Sequence, residues 1–93
     1  MKQRTILQFE KSCLVTRIHV DDMRVGRFNV YIAEELENPK SWIKVCTDLE
    51  VVHGKERIIK PGCLPALYVI IEMTKGVPLL DLKKVRVYGM ERS

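Results

Sequence analysis

Scarcity narrows this sequence first. Of its 93 residues only two are histidine and three cysteine, and 6% are aromatic. His19 and His53 are the only side chains whose ordinary pKa suits a general base near neutral pH. A nucleophile needs such a base within hydrogen-bond reach. Cys13 and His19 fall on one extended stretch, about 20 Å apart at strand rise. Cys46 and His53 flank a bend with no local nucleophile signature. These groups therefore read as structural histidines and buried thiols, and the chain as a non-enzyme.

Other absences remove further classes. Cys13, Cys46 and Cys63 are odd in number and form no CxxC pair. A secreted domain of this size would carry an even, stapling set. Asn29 and Asn38 both fail the glycosylation pattern. The start, Met1-Lys2-Gln3-Arg4-Thr5, lacks the apolar stretch of a signal peptide. The longest apolar runs, such as Ala66-Leu67-Tyr68-Val69-Ile70-Ile71, are far too short to cross a bilayer as a helix. The expectation is an intracellular, cytoplasmic protein with free thiols and no membrane partner. No cysteine or histidine pair has zinc-ligand spacing, and the glycines, five in all, are scattered singly, so no phosphate-cradling loop exists. No cofactor is expected. Asp21 and Asp22 with Glu34, Glu35 and Glu37 offer hard oxygen atoms for calcium, but a solvated acidic loop is the simpler reading.

The chain carries a net charge of +4 and a pI near 9.1, with 46% apolar and 30% charged residues. Lys83, Lys84 and Arg86, and Lys55 with Arg57, are its densest basic clusters, and acidic residues are interspersed. They read as solvated strand faces, so nucleic acid is not the expected partner.

The remaining pattern is that of strands. The only helix-like stretch, Ala33-Glu34-Glu35-Leu36-Glu37, is stopped by Asn38-Pro39. Elsewhere short apolar runs alternate with turn residues about every ten positions, the spacing of an all-β sandwich or barrel. Residues 4–9 predict a first strand and 13–20 a second. In the latter, Leu14, Thr16, Ile18 and Val20 share one face and Cys13, Val15, Arg17 and His19 the other. Residues 27–33 alternate, with Phe28, Val30 and Ile32 inward and Arg27, Asn29 and Tyr31 outward. A strand from Trp42 to Cys46 follows the loop over 34–41 and ends at a polar bend, Thr47-Asp48. Two short segments, Val51-Val52-His53 and Arg57-Ile58-Ile59, flank a turn at Gly54-Lys55-Glu56. Pro61-Gly62 and Pro65 bracket another bend. Residues 67–73 are the most apolar and predict the central strand. In residues 79–88 the parity of apolar positions changes between Leu82 and Val85, predicting a bulge or break. The whole of 1–93 reads as one domain.

Three segments, taken in order, resemble the galactose-binding-like jelly-roll superfamily, which includes discoidin (coagulation-factor type C) domains and the Doc-type domains of ubiquitin-ligase subunits. Residues 27–33 followed by Trp42-Ile43-Lys44-Val45 resemble the family's strand, variable loop and W-x-x-V. Residues 65–72 are similar to its A-R-Y-I-R-I strand, with Leu67 where arginine is common. Leu82-Lys83-Lys84-Val85-Arg86-Val87-Tyr88-Gly89 is similar to the closing L-x-E-I-x-V-Y-G strand. The resemblance implies an antiparallel β-sandwich of jelly-roll type, shortened at its N-terminal strands and ligand loops, with Trp42 packed in the core. A structural calcium occurs in some such domains.

The expected function is binding. Loops at 21–26, 34–41, 60–65 and 74–78 present residues from a rigid scaffold. Asp21, Asp22, Met23 and Arg24, both charge signs around an adaptable methionine, form the leading candidate loop, and Lys75 of the 74–78 loop is a further candidate; in Doc-type relatives a loop at the place of residues 21–24 in the order helps receive a peptide. A shortened sandwich also leaves a sheet edge, expected at residues 4–9, that a protein partner or a second copy completes. The expectation is a protein-interaction module within a larger assembly. The alternative is a carbohydrate- or small-ligand-binding domain, disfavoured by the few aromatics and their placement in strand patterns.

Overall fold

The computed structural model describes residues 4–20, 26–51, 56–76 and 85–91. Six strands account for nearly all of them: β1 (Arg4–Val20), β2 (Gly26–Ala33), β3 (Ile43–Val51), β4 (Arg57–Ile59), β5 (Leu64–Gly76) and β6 (Val85–Glu91). A single 3-10 turn, Pro39–Ser41, interrupts the β2–β3 connection, where Asn38-Pro39 was expected to halt any helix. All pairings are antiparallel and belong to one sheet of order β3-β2-β5-β1-β4, with β6 also on β1. The most apolar stretch is central, because β5 lies between β2 and β1 and needs partners on both flanks.

Two of the expected strands are one. Residues 4–9 and 13–20 run together as β1, which is 17 residues long. No turn separates them, since Glu10, Lys11 and Ser12 lack the glycine, proline or asparagine that reverses a chain. The polar residues are absorbed by a bulge. Gln8 pairs with Tyr68 and Cys13 with Ala66, so four residues of β1 stand opposite Leu67 alone.

A second irregularity in β1 decides how the core closes. Val15 pairs with Gly89 and Arg17 with Tyr88, leaving Thr16 as the extra residue. Its hydroxyl donates to the Tyr88 carbonyl at 3.1 Å. An inserted residue reverses which side of the strand each later side chain occupies. Val15 is therefore buried together with Ile18 and Val20, all at 0–1% exposure. Strict alternation had put Val15 opposite the other two.

Cys13, Leu14 and Val15 pair with both β5 and β6, and Ile18, His19 and Val20 with both β4 and β6. One flank of β1 is thus shared end to end by β5 and β4, and the other carries β6. Val15, Ile18, Val20, Ile59 and Val85 from this end join Phe28, Val30, Ile32, Leu49, Val69 and Ile71 in one cluster. A single sheet can bury one face in one cluster only by curling over it, and it does so until nearly closed, with β3 and β4 coming into contact. Phe28, Val30 and Ile32 point inward as the alternation predicts.

Other expectations change locally. The bend at Thr47-Asp48 is a bulge within β3, where Asp48 adopts φ 53°. The Pro61–Pro65 bend turns through Gly62 at φ 89° and Cys63 at φ 62°, after which Pro65 belongs to β5. The parity change expected between Leu82 and Val85 lies outside the described residues, although Val85 is buried. Cys13 and Cys46 are half-buried and Cys63 exposed, so the thiols are free but not sequestered.

Gly89 marks how tight the β1–β6 bulge is. A Cβ there would lie 2.2 Å from the Leu14 carbonyl oxygen and 3.0 Å from its carbon. Backbone cannot yield as a flexible side chain does. Gly89→Ala is expected to cost at least about 2 kcal/mol in urea unfolding, as overpacking does, despite the position being exposed. A cost within experimental error of zero would show that β6 is not held in this register.

Candidate binding surface

The outer face of the sheet centres on a carboxylate. Along β5, Val69 and Ile71 face the core, so Ile70 and Glu72 point outward, yet both are buried, Glu72 to 3% exposure. Register sets Arg4 of β1 and Asn29 of β2 on either side of Glu72. Arg4 Nε donates to Glu72 Oε2 at 2.9 Å, and the Asn29 amide and Tyr31 hydroxyl reach Oε1 at longer 3.4 Å distances. Asn29 also accepts the Asp48 backbone N–H at 2.9 Å. It therefore joins the carboxylate to the β3 bulge, which explains why a residue expected to face solvent is buried. A buried charge is tolerable only with such partners.

Trp42 belongs to this face and not to the core. It follows the 3-10 turn in extended conformation and is half-buried. Its indole N–H donates to the Glu35 carbonyl at 3.0 Å, fastening the β2–β3 connection. The ring meets Tyr31 edge-on at 5.8 Å, and the Arg4 guanidinium carbon stands 5.2 Å from its centre. An indole with a polar tip is at home where one side is packed and one end can find an acceptor.

A second cluster lies at the other end of β1. His19 Nδ1 is 3.2 Å from Glu56 Oε1, and its ring sits edge-on to Tyr88 at 4.8 Å. Arg17 stacks over the same tyrosine at 4.9 Å. The other imidazole nitrogen, Nε2, is buried with no hydrogen-bond partner among the described residues.

One opening lies where β6 stops. A groove of about 370 Å³ is formed by the β1 bulge, residues 9–13, and by Val87, Gly89, Met90 and Glu91. Met90 is 55% exposed beside it. From this point toward the N-terminal end of β1 the flank that carries β6 has no strand among the described residues. Residues 4–8 pair with β5 alone. Their free side presents backbone N–H and C=O groups next to Ile6, which is 41% exposed.

The loop residues singled out in the sequence fall elsewhere. Asp21, Asp22, Met23 and Arg24 lie outside the described residues, as do His53, Lys83 and Lys84. Lys75 is exposed, but it is a strand residue of β5 opposite Arg27 and not part of a loop. Arg27 itself forks to Asp48 and Glu50 at 2.8 Å each, an exposed pairing of small energetic weight. Among the described residues no three His, Cys, Asp or Glu side chains converge as a metal site would require, and no helix is long and apolar enough to cross a membrane. The Arg4–Glu72–Asn29–Tyr31 cluster was not foreseen. Glu72 in the most apolar stretch of the chain was its one visible sign.

No protein-family model, curated protein or solved structure matches this chain.

Two measurements check this geometry. Removing Glu72 strands Asn29 and Tyr31 and frees Arg4, so Glu72→Ala should cost about 2–3 kcal/mol, below the cost of breaking a fully buried pair because Arg4 is half exposed. A near-neutral result would show the carboxylate is dispensable. Burial pushes the Cys13 and Cys46 thiols up, an effect that Arg57 partly offsets at Cys46. A raised pKa means less thiolate near neutral pH. One equivalent of maleimide should therefore react quickly at exposed Cys63, and Cys63→Ser should abolish that fast phase.

Proposed function

We propose that this chain is a non-catalytic protein-interaction module, working inside the cell, whose curled sheet accepts an extended segment of a partner along the free flank of β1. The observation that carries this reading is the half-paired strand itself. Among the described residues, residues 4–8 are held by β5 on one side only, while β6 occupies the same free flank from Cys13 onward. A segment added there would lie in line with β6, gaining main-chain hydrogen bonds along β1 and a side-chain pocket in the groove beside Phe9 and Met90. The fold proposed for it is a shortened galactose-binding-like jelly roll. In support, the three resembling segments supply β2 with the start of β3, then β5, then β6.

The unpaired cysteines accord with a reducing compartment. The loop at residues 21–24 stays a second candidate contact within the same reading.

Trp42 favours a second reading, a carbohydrate- or small-ligand-binding domain. The ring stands outside the core beside Tyr31 and Arg4, and sugar sites combine an aromatic platform with planar hydrogen-bonding groups.

Affinity purification from the cells that express the chain separates the two. The wild type should retain a stoichiometric protein, and Ile6→Lys with Gln8→Lys, both at exposed positions, should lose most of it with an unchanged circular dichroism spectrum. Retention of that partner by the doubly substituted chain would overturn the edge reading. Binding on a glycan array that disappears in Trp42→Ala would establish the alternative.

A further inference from the structure

We infer that the segment taken up by the β1 flank is β1 of a second copy of this chain, paired antiparallel about a two-fold axis at Leu7. The inference rests on the reading of that flank as a binding surface and names its occupant. Exposure alternates without a break from Arg4 to Glu10: even-numbered residues are exposed and Thr5, Leu7 and Phe9 half-buried. The backbone is therefore extended over this whole span, including the start of the bulge toward β5, and can carry a ladder on its free side.

Register follows from charge and space. In an antiparallel pair related by an axis perpendicular to the sheet, opposite residues share a face. With Leu7 opposite its own copy, Thr5 faces Phe9 on the half-buried side. On the outer side Ile6 faces Gln8, and Arg4 faces Glu10 twice over. Arg4 is prepared for this pairing. Only its Nε is bonded to Glu72, its side chain is 46% exposed, and its two terminal nitrogens keep their donors. Glu10 is exposed and makes no ion pair among the described residues. A register one residue longer would set Arg4 against Lys11 and turn the outer face of one copy toward the inner face of the other. A register two residues longer would set Arg4 against Ser12 and also abandon both Arg4–Glu10 pairs. A register two residues shorter abandons both Arg4–Glu10 pairs. Of these registers, the Leu7-centred arrangement is the one that sets Arg4 against Glu10 at both ends. Being isologous, it also closes: both free flanks are consumed, and no open edge remains there to propagate a fibre.

Sedimentation equilibrium on the full chain tests this directly. The wild type should reach twice the chain mass of 10.8 kDa at high micromolar concentration. Glu10→Lys places like charges opposite Arg4 at two symmetric positions and should weaken association at least about tenfold. Glu37→Lys, the same change of charge at an exposed position of the β2–β3 connection, should leave it unweakened. Leu7→Cys in a Cys63→Ser background should cross-link into a dimer under mild oxidation, because opposite Cβ atoms lie within disulfide reach. Gln8→Cys, diagonal to its copy, should not.

A wild type that stays monomeric throughout, or a dimer indifferent to Glu10→Lys, would overturn the inference. Loss of a different protein partner in the doubly lysine-substituted variant would still uphold the binding reading, so the two fail separately.

Discussion

The architecture depends on β1 being able to serve two parts of one sheet, and Thr16 is where that ability resides. A regular strand of this length would keep Val15 and Ile18 on opposite faces, and half of its apolar residues would face water. The extra residue reverses the faces, so that Val15, Ile18 and Val20 are buried together. The far end of β1, with β4 and β6, can then lie over the core begun by β2, β3 and β5. Gly89 permits the bulge because no side chain intervenes between its backbone and that of Leu14. In a chain this short, where burial is only just sufficient for stability, misdirecting Val15, or Ile18 and Val20, would remove fully buried aliphatic residues from the core.

Curling has a cost in polar groups, and the outer face meets it with a hydrogen-bonded cluster. Ile70 and Glu72 are buried although they point away from the main core. The carboxylate is held by Arg4 across one strand pair and by Asn29 across the other, so it ties together β1, β5 and β2. Asn29 extends the tie to β3 through the Asp48 N–H. The cluster thus links four neighbouring strands side to side, across the direction in which the Thr16 bulge redirects β1. Arg4 adds a further connection through the face of Trp42.

Among the described residues, the same geometry leaves the β1 flank half used. β6 ends at Glu91, opposite Cys13, and the bulge over residues 9–12 separates that pairing from the regular span before it. Edge strands of natural proteins are commonly guarded by charge. Here Arg4, Glu10 and Lys11 provide it, and in the proposed pairing one register joins Arg4 to Glu10 while the next sets Arg4 against Lys11. On the proposed function, protein recognition would use the backbone of a strand that the fold needs in any case.

The sequence by itself determined the all-β class, the central place of the stretch around Val69 and Ile71, the inward face of β2 and the free state of the thiols. Each of these follows from a local property: period-two alternation, a continuous apolar run, or the count and spacing of cysteine. Only the tertiary structure decided that residues 4–20 form one strand, that Val15 shares a face with Ile18, that Trp42 stays outside the core, and that Glu72 is buried among partners. A bulge inserts a residue without any obligatory residue type, so Thr16 left no mark in the composition of β1. The sign of a buried charge lies in its neighbours, and Arg4 is brought to Glu72 by strand register across 68 residues of chain. Pairing between strands distant in sequence depends on which edges remain free once the others have paired, and that is settled by the completed sheet.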